Sequence, residues 1–387
     1  MPWETKTPMS SKAEFIVAAL GEDVNMSALC REQGISRKTG YKWLARYQAE
    51  GESGLAERSR RPESSPGQTG AAMTAAVLDV RNEHPTWGGR KVKRWLEEHG
   101  VPDVPSASTI TTILHRQGEI DPAESRKRQA HIRFAMELPN LLWQMDYKGE
   151  FTVGDGTVCH PLTILDDHAR YLLGLFACAN EQRETVQAHL ITVFRTYGLP
   201  ERILADNGAP WGYETEYGPG RTRPRIRHTR LSVWLLRLEV QMTHGRPYHP
   251  QTQGKDERLH RTFAEDVVKR MALPSLAACQ PCFDTWRTCY NEERPHDALN
   301  LDTPAEHYQP SPRPYPETLP PIEYDADVAV RKVDARGNIS FRNQHWRIGA
   351  AFAHHAVALC PTQTDGLFDV FFGRFAVDQI DLRSHTQ

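Results

Sequence analysis

The chain has 387 residues, 39 % of them hydrophobic and 25 % charged, with a formal net charge of −2 and seven cysteines. That length is too great for one ordinary domain and suggests two to four. No apolar run is long enough to cross a bilayer, which excludes a membrane partner, and an odd number of cysteines spread from Cys30 to Cys360 excludes a disulfide framework. The first residues, MPWETKTPMSSKAEF, lack the apolar core of a secretion signal, so a cytoplasmic protein is expected. The near-neutral total argues weakly against a nucleic-acid partner. Local distribution decides more, because phosphate contacts need charge only on the face that meets the duplex. The basic residues are clustered, as RSRR at 58–61, RKR at 126–128 and RTRPRIRHTR at 221–230. Each cluster alone also fits a solvated loop.

Residues 10–48 read as helices broken by a turn. In MSALCREQGISRKTGYKWLARY (26–47), Met26, Leu29 and Ile35 surround Gly34, Tyr41 and Leu44 follow at helical spacing, and Ser36 is a candidate N-cap. This is a helix-turn-helix pattern, spanning 10–55 as a domain, although an ordinary helical hairpin has the same signature. Its second helix offers Arg37, Lys38, Thr39 and Lys42 where a recognition helix meets DNA. Residues 56–70 have linker composition. A second helical block, 71–120, repeats the helix–turn–helix arrangement with Ser106 or Ser108 as cap, so the two blocks together suggest a bipartite DNA reader. Segment 121–140 is a charged connector.

From 136 to 302 strands alternate with helices. LWQMDYKGEFTV, CHPLTILDD and YLLGLFACA are β-rich runs, residues 184–198 form an amphipathic helix ending at Gly198, RILADNG is a short buried strand, and LSVWLLRLEV and 254–273 are helical. The order defines an α/β layered domain. A proline-rich linker, 304–321, leads to period-two segments around Gly337 and Gly366, expected to form a small β-barrel over 325–383.

Three acids stand out by position. Asp146 lies in an apolar strand, Asp206 ends the strand RILADNG before a tight turn, and Glu257 sits in HPQTQGKDERLHRT (249–262) among basic residues. Carboxylates from two strands and one helix, facing one point, can hold hard divalent cations with substrate phosphates completing the coordination. On a helix from Gly254, Glu257 shares a face with Arg261 and Ala264, whereas Asp256 points about 100° away, towards His260, and reads as a first-turn acid favourable to the helix dipole. Lys255, Arg258 and Arg261 are expected to hold the nucleic-acid backbone beside the acids. His244, His249 and His260 are candidates to approach the site. Asp166 and Asp167 read as turn acids that bond local backbone. Cys279, Cys282, Cys289 and His296 are too irregularly spaced for a zinc site and read as structural, and Trp43, Trp87 and Trp95 read as core.

LWQMDYKG, LADNGAPW, HGRPYHPQTQGKDERLHRTF and NEERPHDALNLDTPAE closely resemble the DDE transposases of bacterial insertion sequences, whose core is similar to retroviral integrase. The resemblance covers essentially the whole chain. It implies a ribonuclease-H-like fold, a catalytic and metal-binding triad of Asp146, Asp206 and Glu257, two Mg²⁺ ions replaceable by Mn²⁺, and a homodimer or higher multimer on double-stranded DNA at the bacterial nucleoid. It also implies binding of the element's terminal inverted repeats, cleavage and strand transfer. A related nuclease without strand transfer, or a helix-turn-helix regulator without chemistry, stands as the alternative. The first spacing, 206 − 146 = 60, matches the family, whereas the second, 257 − 206 = 51, exceeds that of the integrase relatives. The excess falls in the arginine-rich stretch 212–230, expected to be a loop that touches target or flanking DNA.

Overall fold

The computed structural model describes residues 8–58, 68–120, 135–207, 209–215, 225–244 and 254–385. They fall into two units, Met1–Gln68 and Thr69–Gln387. In the first, helices α1 (Pro8–Ala19), α2 (Met26–Glu32) and α3 (Arg37–Glu50) enclose Phe15, Ile16, Cys30, Trp43 and Leu55. Both later helices begin on side-chain caps. Asn25 accepts from the Ser27 and Ala28 amides at 3.1 Å, and Ser36 accepts from the Thr39 amide at 3.1 Å. Each satisfies donors the helix leaves free, worth about 1 kcal/mol. Gly34, at φ 64°, turns the chain between α2 and α3 as the sequence requires.

The second unit opens with α4 (Ala71–Glu83), α5 (Gly89–Glu98) and α6 (Ala107–Arg116), packed through Val77, Val80, Trp87, Val92, Leu96, Ile110 and Leu114. Ser106, not Ser108, caps α6 by accepting from the Thr109 amide at 3.3 Å. Trp43 and Trp87 are buried as expected; Trp95 is half-buried and stacks on His99 with ring centroids 3.7 Å apart.

The central sheet explains why the sequence there is apolar in near-continuous runs. β3 (Val158–Asp166) pairs antiparallel with both β1 (Trp143–Tyr147) and β4 (Leu172–Cys178), and the short β2 (Phe151–Thr152) extends its start. β1 then pairs parallel with β5 (Arg202–Ala205), and β5 parallel with β8 (Gln241–His244). Helices cover both faces, so alternate residues of one strand enter different cores. Trp143, Met145, Leu162 and Ile164 pack on α7 (Arg183–Tyr197) and α8 (Arg230–Arg237). Cys159, Leu165 and Leu175 pack on the other side against α9 (Gly254–Phe263) and α10 (Leu276–Thr288), through Leu259, Phe263, Cys279 and Phe283. Each such apolar side chain contributes about 1.5–3 kcal/mol by burial. With the helix-turn-helix blocks before it, this is the ribonuclease-H-like core that the sequence implied.

Three expectations need correction. The stretch 212–230 is not a plain loop, since β6 (Gly212–Thr215) and β7 (Arg225–His228) pair as an antiparallel hairpin; Arg221 and Arg223 lie outside the described residues. The proline-rich linker is not a free tether. It includes α11 (Pro304–His307), and its Tyr308, Tyr315 and Leu319 pack against the first sheet core. The Tyr308 hydroxyl donates to Asn140 at 2.9 Å, and Arg313 donates to the Pro200 carbonyl at 2.8 Å. The C-terminal block, finally, shows two open sheets over one core. β12 (Ala356–Pro361), β13 (Leu367–Phe372) and β14 (Phe375–Asp381) join β9 (Ala329–Lys332), while β10 (Asn338–Phe341) and β11 (Gln344–Arg347) form a hairpin; closure into a barrel is not among the ladders of the described residues. Val233 and Leu236 of α8 enter that core.

Between the second helical block and the sheet domain, α5 places Lys91 8 % exposed. Burial first, then the charges of Arg294 and Arg258, push its ammonium down to about 6, against the pull of Asp297. A depressed lysine costs nothing above the unfolded value near 10.4, and its cost grows as pH falls from there to about 6. Lys91→Met should therefore raise Tm by about 2–4 °C at neutral pH. Thermal melts across pH should show the gap closing as pH approaches 10; a gap independent of pH would refute the assignment.

Candidate active site

β1 carries Trp143 and Met145 into one core, so Gln144 and Asp146 point to the opposite face, under α9. Across β3 the partner of Asp146 is Thr163. On the other side the parallel ladder pairs Trp143 with Ile203 and Gln144 with Leu204, a constant offset of 60, from 203 − 143 and 204 − 144. The acids have the same offset, 206 − 146 = 60. Asp206, one residue beyond β5, therefore stands beside Asp146 on the same face, one strand away at about 4.8 Å between backbones.

The third acid comes from α9, whose rotation is set by apolar side chains. Leu259 and Phe263 are buried at spacings of three and seven from Asp256, which puts Asp256 on the inner face at 1 % exposure. Glu257 is exposed. Two polar contacts fix the helix to the sheet. His260 Nε2 lies 2.9 Å from Thr163 Oγ1, and that hydroxyl donates to the Asp146 carbonyl at 3.0 Å. Lys255 pairs with the Asp167 carboxylate and donates to the Asp167 carbonyl at 2.9 Å.

Electrostatics report the convergence. Burial first, then the charges of Asp206, Glu181 and Glu257, push the Asp146 carboxyl up to about 7, against a hydrogen bond from the Tyr147 amide. Asp206 is raised by burial and by Glu181, opposed by His244 and Trp211. His244 Nδ1 lies 2.9 Å from the Asp206 carbonyl. Burial and neighbouring carboxylates raise both Asp146 and Asp206, and hard oxygen donors of this kind fit Mg²⁺.

Asp206, Glu181 and Glu257 are thus the charges that act on Asp146, and Glu181 among them is marked by no motif. Glu181 follows β4, and His160 holds it at 3.1 Å. Asp256 is not a surface acid favoured by the helix dipole. Both its carboxylate oxygens are buried without a hydrogen-bond partner, and burial, with Asp146 and Asp167 nearby, raises its pKa well above the ordinary value. Lys255 is turned inward onto Asp167, its side chain 11 % exposed, and so is not a surface contact for the nucleic-acid backbone. Arg258 and Arg261 are exposed, Arg258 lying 3.7 Å from Asp297. In the first unit Arg37, Lys38 and Lys42 are exposed on α3, and Thr39 is half-buried, its hydroxyl 2.8 Å from Ser36. His249 lies outside the described residues. Asp166 and Asp167 do bond backbone, from Asn140, Ala169 and Met136, but are fully buried. Cys279 and Cys282 do not converge with Cys289 and His296: Cys279 is in the sheet core, and Cys282 lies 2.9 Å from the Met271 sulfur.

Comparison with known proteins agrees with this architecture from end to end. Family profiles match a helix-turn-helix domain at 11–63, a homeodomain-like domain at 39–114, integrase core domains at 137–250 and 238–304, and an IS481 family transposase C-terminal domain at 328–387. An uncharacterized 31.7 kDa protein of insertion element IS407 from Burkholderia multivorans is 23 % identical over 75 % of this chain and 93 % of its own. An uncharacterized 39.2 kDa protein of element IS476 from Xanthomonas euvesicatoria is 21 % identical over 71 % of this chain and 76 % of its own. The Gag-Pro-Pol polyprotein of Simian retrovirus SRV-1 is 30 % identical over 34 % of this chain and 6 % of its own. Among solved structures, a simian T-cell lymphotropic virus intasome in complex with PP2A regulatory subunit B56 gamma matches 79 % of this chain and 96 % of its own at 15 % identity and TM-score 0.38. The HTLV-2 integrase catalytic core with magnesium matches 45 % and 99 % at 12 % identity and TM-score 0.32.

Helix-turn-helix domains joined to an integrase core define a DNA-recombining enzyme. The chain is a DDE-type transposase of the bacterial insertion-sequence kind. Among the described residues no helix is long and apolar enough to cross a membrane.

A raised carboxyl contributes stability that is full below the unfolded value near 3.9 and is lost as pH rises through its folded value of about 7. Asp146→Asn, which cannot ionise, should therefore melt about 2 °C or more above the wild type without divalent cation, the gap opening between pH 4 and 7. Mg²⁺ should raise the wild-type Tm and leave the variant unmoved. Equal Mg²⁺ responses would separate Asp146 from the cation site.

Proposed function

We propose that the protein binds the terminal inverted repeats of its own mobile element and cuts and joins DNA at Asp146, Asp206 and Glu257. The observation that carries this is the shared offset of 60, which supports two carboxylates side by side, with Glu257 among the charges that act on Asp146. The division of labour follows four parts: DNA reading by 10–55 and 71–120, chemistry by 136–302, and a C-terminal domain at 325–383. The protein works in the bacterial cytoplasm at the nucleoid, as a homodimer or higher multimer, because two element ends must meet.

Two Mg²⁺ ions, replaceable by Mn²⁺, would supply Lewis acidity and an activated water at the three acids. Asp146 and Asp206 would offer oxygens from adjacent strands and Glu257 from α9, each carried on backbone that the two cores hold in place. His260 and Thr163 position α9 over β1. Arg258 and Arg261 lie on the exposed side of α9, where they meet phosphates. The overall chemistry is hydrolysis of a phosphodiester at the element end, leaving a 3′-hydroxyl. That hydroxyl then attacks a target phosphorus and displaces the target's own 3′-oxygen.

Labelled element ends, a target plasmid and Mg²⁺ should give joined products. Cut ends without joining would indicate a nuclease, and binding alone a regulator. Glu257→Gln should abolish cleavage and joining while DNA binding persists, since an amide cannot supply the carboxylate's charge. Asp256→Asn puts a group of similar shape on the buried inner face of α9, away from Glu257, and should keep most activity. The reverse pattern would move the third carboxylate to Asp256.

Recognition is assigned to α3. Replacing Arg37, Lys38 and Lys42 together with alanine should weaken binding to element ends and lower the slope of log affinity against log salt by about three. An unchanged slope would remove these residues from the DNA interface.

A further inference from the structure

Where α4 ends against the sheet domain, three unlike donors meet. His84 caps the end of α4, while Cys289 and Glu293 are the first and last residues of a π-helical turn following α10. Their ligand atoms lie within 4.8 Å of one another, and His84 Nδ1 is 3.8 Å from Cys289 Sγ. Bond lengths of about 2.0–2.1 Å to nitrogen and 2.3 Å to sulfur at tetrahedral angles put such a pair about 3.6 Å apart. We propose that His84, Cys289 and Glu293 form a site for a thiophilic divalent cation of the zinc class, which clasps the second helical block to the catalytic core.

Several features of the surroundings suit that role. His84 stacks on Trp87 with centroids 3.7 Å apart and planes at 8°, which fixes the ring. The π turn closes with the Arg294 amide donating to the Cys289 carbonyl at 2.9 Å, and such turns gather at functional sites. Arg294 also reaches across to Thr86 at 3.0 Å and lies 3.5 Å from Asp266, so the turn is held from both sides. Glu293 is exposed while His84 and Cys289 are half-buried, so water can complete a fourth position. One thiolate and one carboxylate would neutralise the dication. Binding displaces the Cys289 thiol proton to solvent and involves no change of oxidation state. The donors differ in kind from the all-carboxylate acids, so the two sites would select different metals, soft against hard.

Chelator-stripped full-length protein titrated with Co²⁺ tests the proposal, because a thiolate-to-cobalt charge-transfer band reports sulfur ligation and the carboxylate site cannot give it. The band should saturate at one cobalt per chain, be displaced by Zn²⁺ and resist Mg²⁺. Cys289→Ser should lose it, His84→Ala and Glu293→Gln should weaken binding by about tenfold or more, and Cys282→Ser should keep it. Zn²⁺ should also raise the Tm of the wild type but not of Cys289→Ser. Glu293→Gln alters an exposed side chain and so separates lost binding from lost folding. No band in the wild type, or a band that survives in Cys289→Ser, would overturn the site.

Discussion

The parallel ladder between β1 and β5 is the constraint on which the site depends. Its register is held by Trp143, Met145 and Ile203 on the face away from the acids, all buried in the core beneath α7 and α8. A slip of one residue would send Asp206 to that apolar face, where an unpaired charge is costly. Packing on one side of the sheet thus enforces a carboxylate pair on the other, although the pair itself is repulsive. Burial first, and then that repulsion, raise the Asp146 carboxyl. The fold tolerates it because two apolar cores surround it.

α9 solves a related problem. It must present a charged residue outward while staying rigid, and it does so by devoting its inner face to Leu259, Phe263 and the buried Asp256. Lys255 and His260 tie it to β3 at two points, through Asp167 just past the strand's end and Thr163 within it. Rigidity here comes from buried polar ties as much as from apolar packing. Glu257 needs no partner of its own to be placed.

Much of this was legible in the sequence where the signal is local. The cap at Ser36, the turn at Gly34, the apolar strands and the strand-end position of Asp206 all follow from short-range chemistry, whereas the choice of Ser106 over Ser108 as a cap does not. The rotation of α9 was legible too, but only if Leu259 and Phe263 are taken as the inner face; reading outward from Arg261 left Asp256 in solvent. Lys255 and Glu181 could not be read, because their partners, Asp167 and His160, are far away in sequence. β8 was missed because four residues carry no periodicity, and the hairpin of β6 and β7 because its arginines suggest solvent.

The proline-rich segment after the catalytic domain has a consequence beyond connection. Prolines at 304, 310, 312, 314, 316, 320 and 321 restrict the unfolded chain before it docks. Ordering an ordinary segment loses about 1–2 kcal/mol of backbone freedom per residue, and a pre-stiffened one loses less. Tyr308, Tyr315 and Arg313 can therefore hold it down with few contacts. What composition suggests is a hinge packs along the sheet core as a splint, and the β domain that follows shares its own core with Val233 and Leu236 of α8.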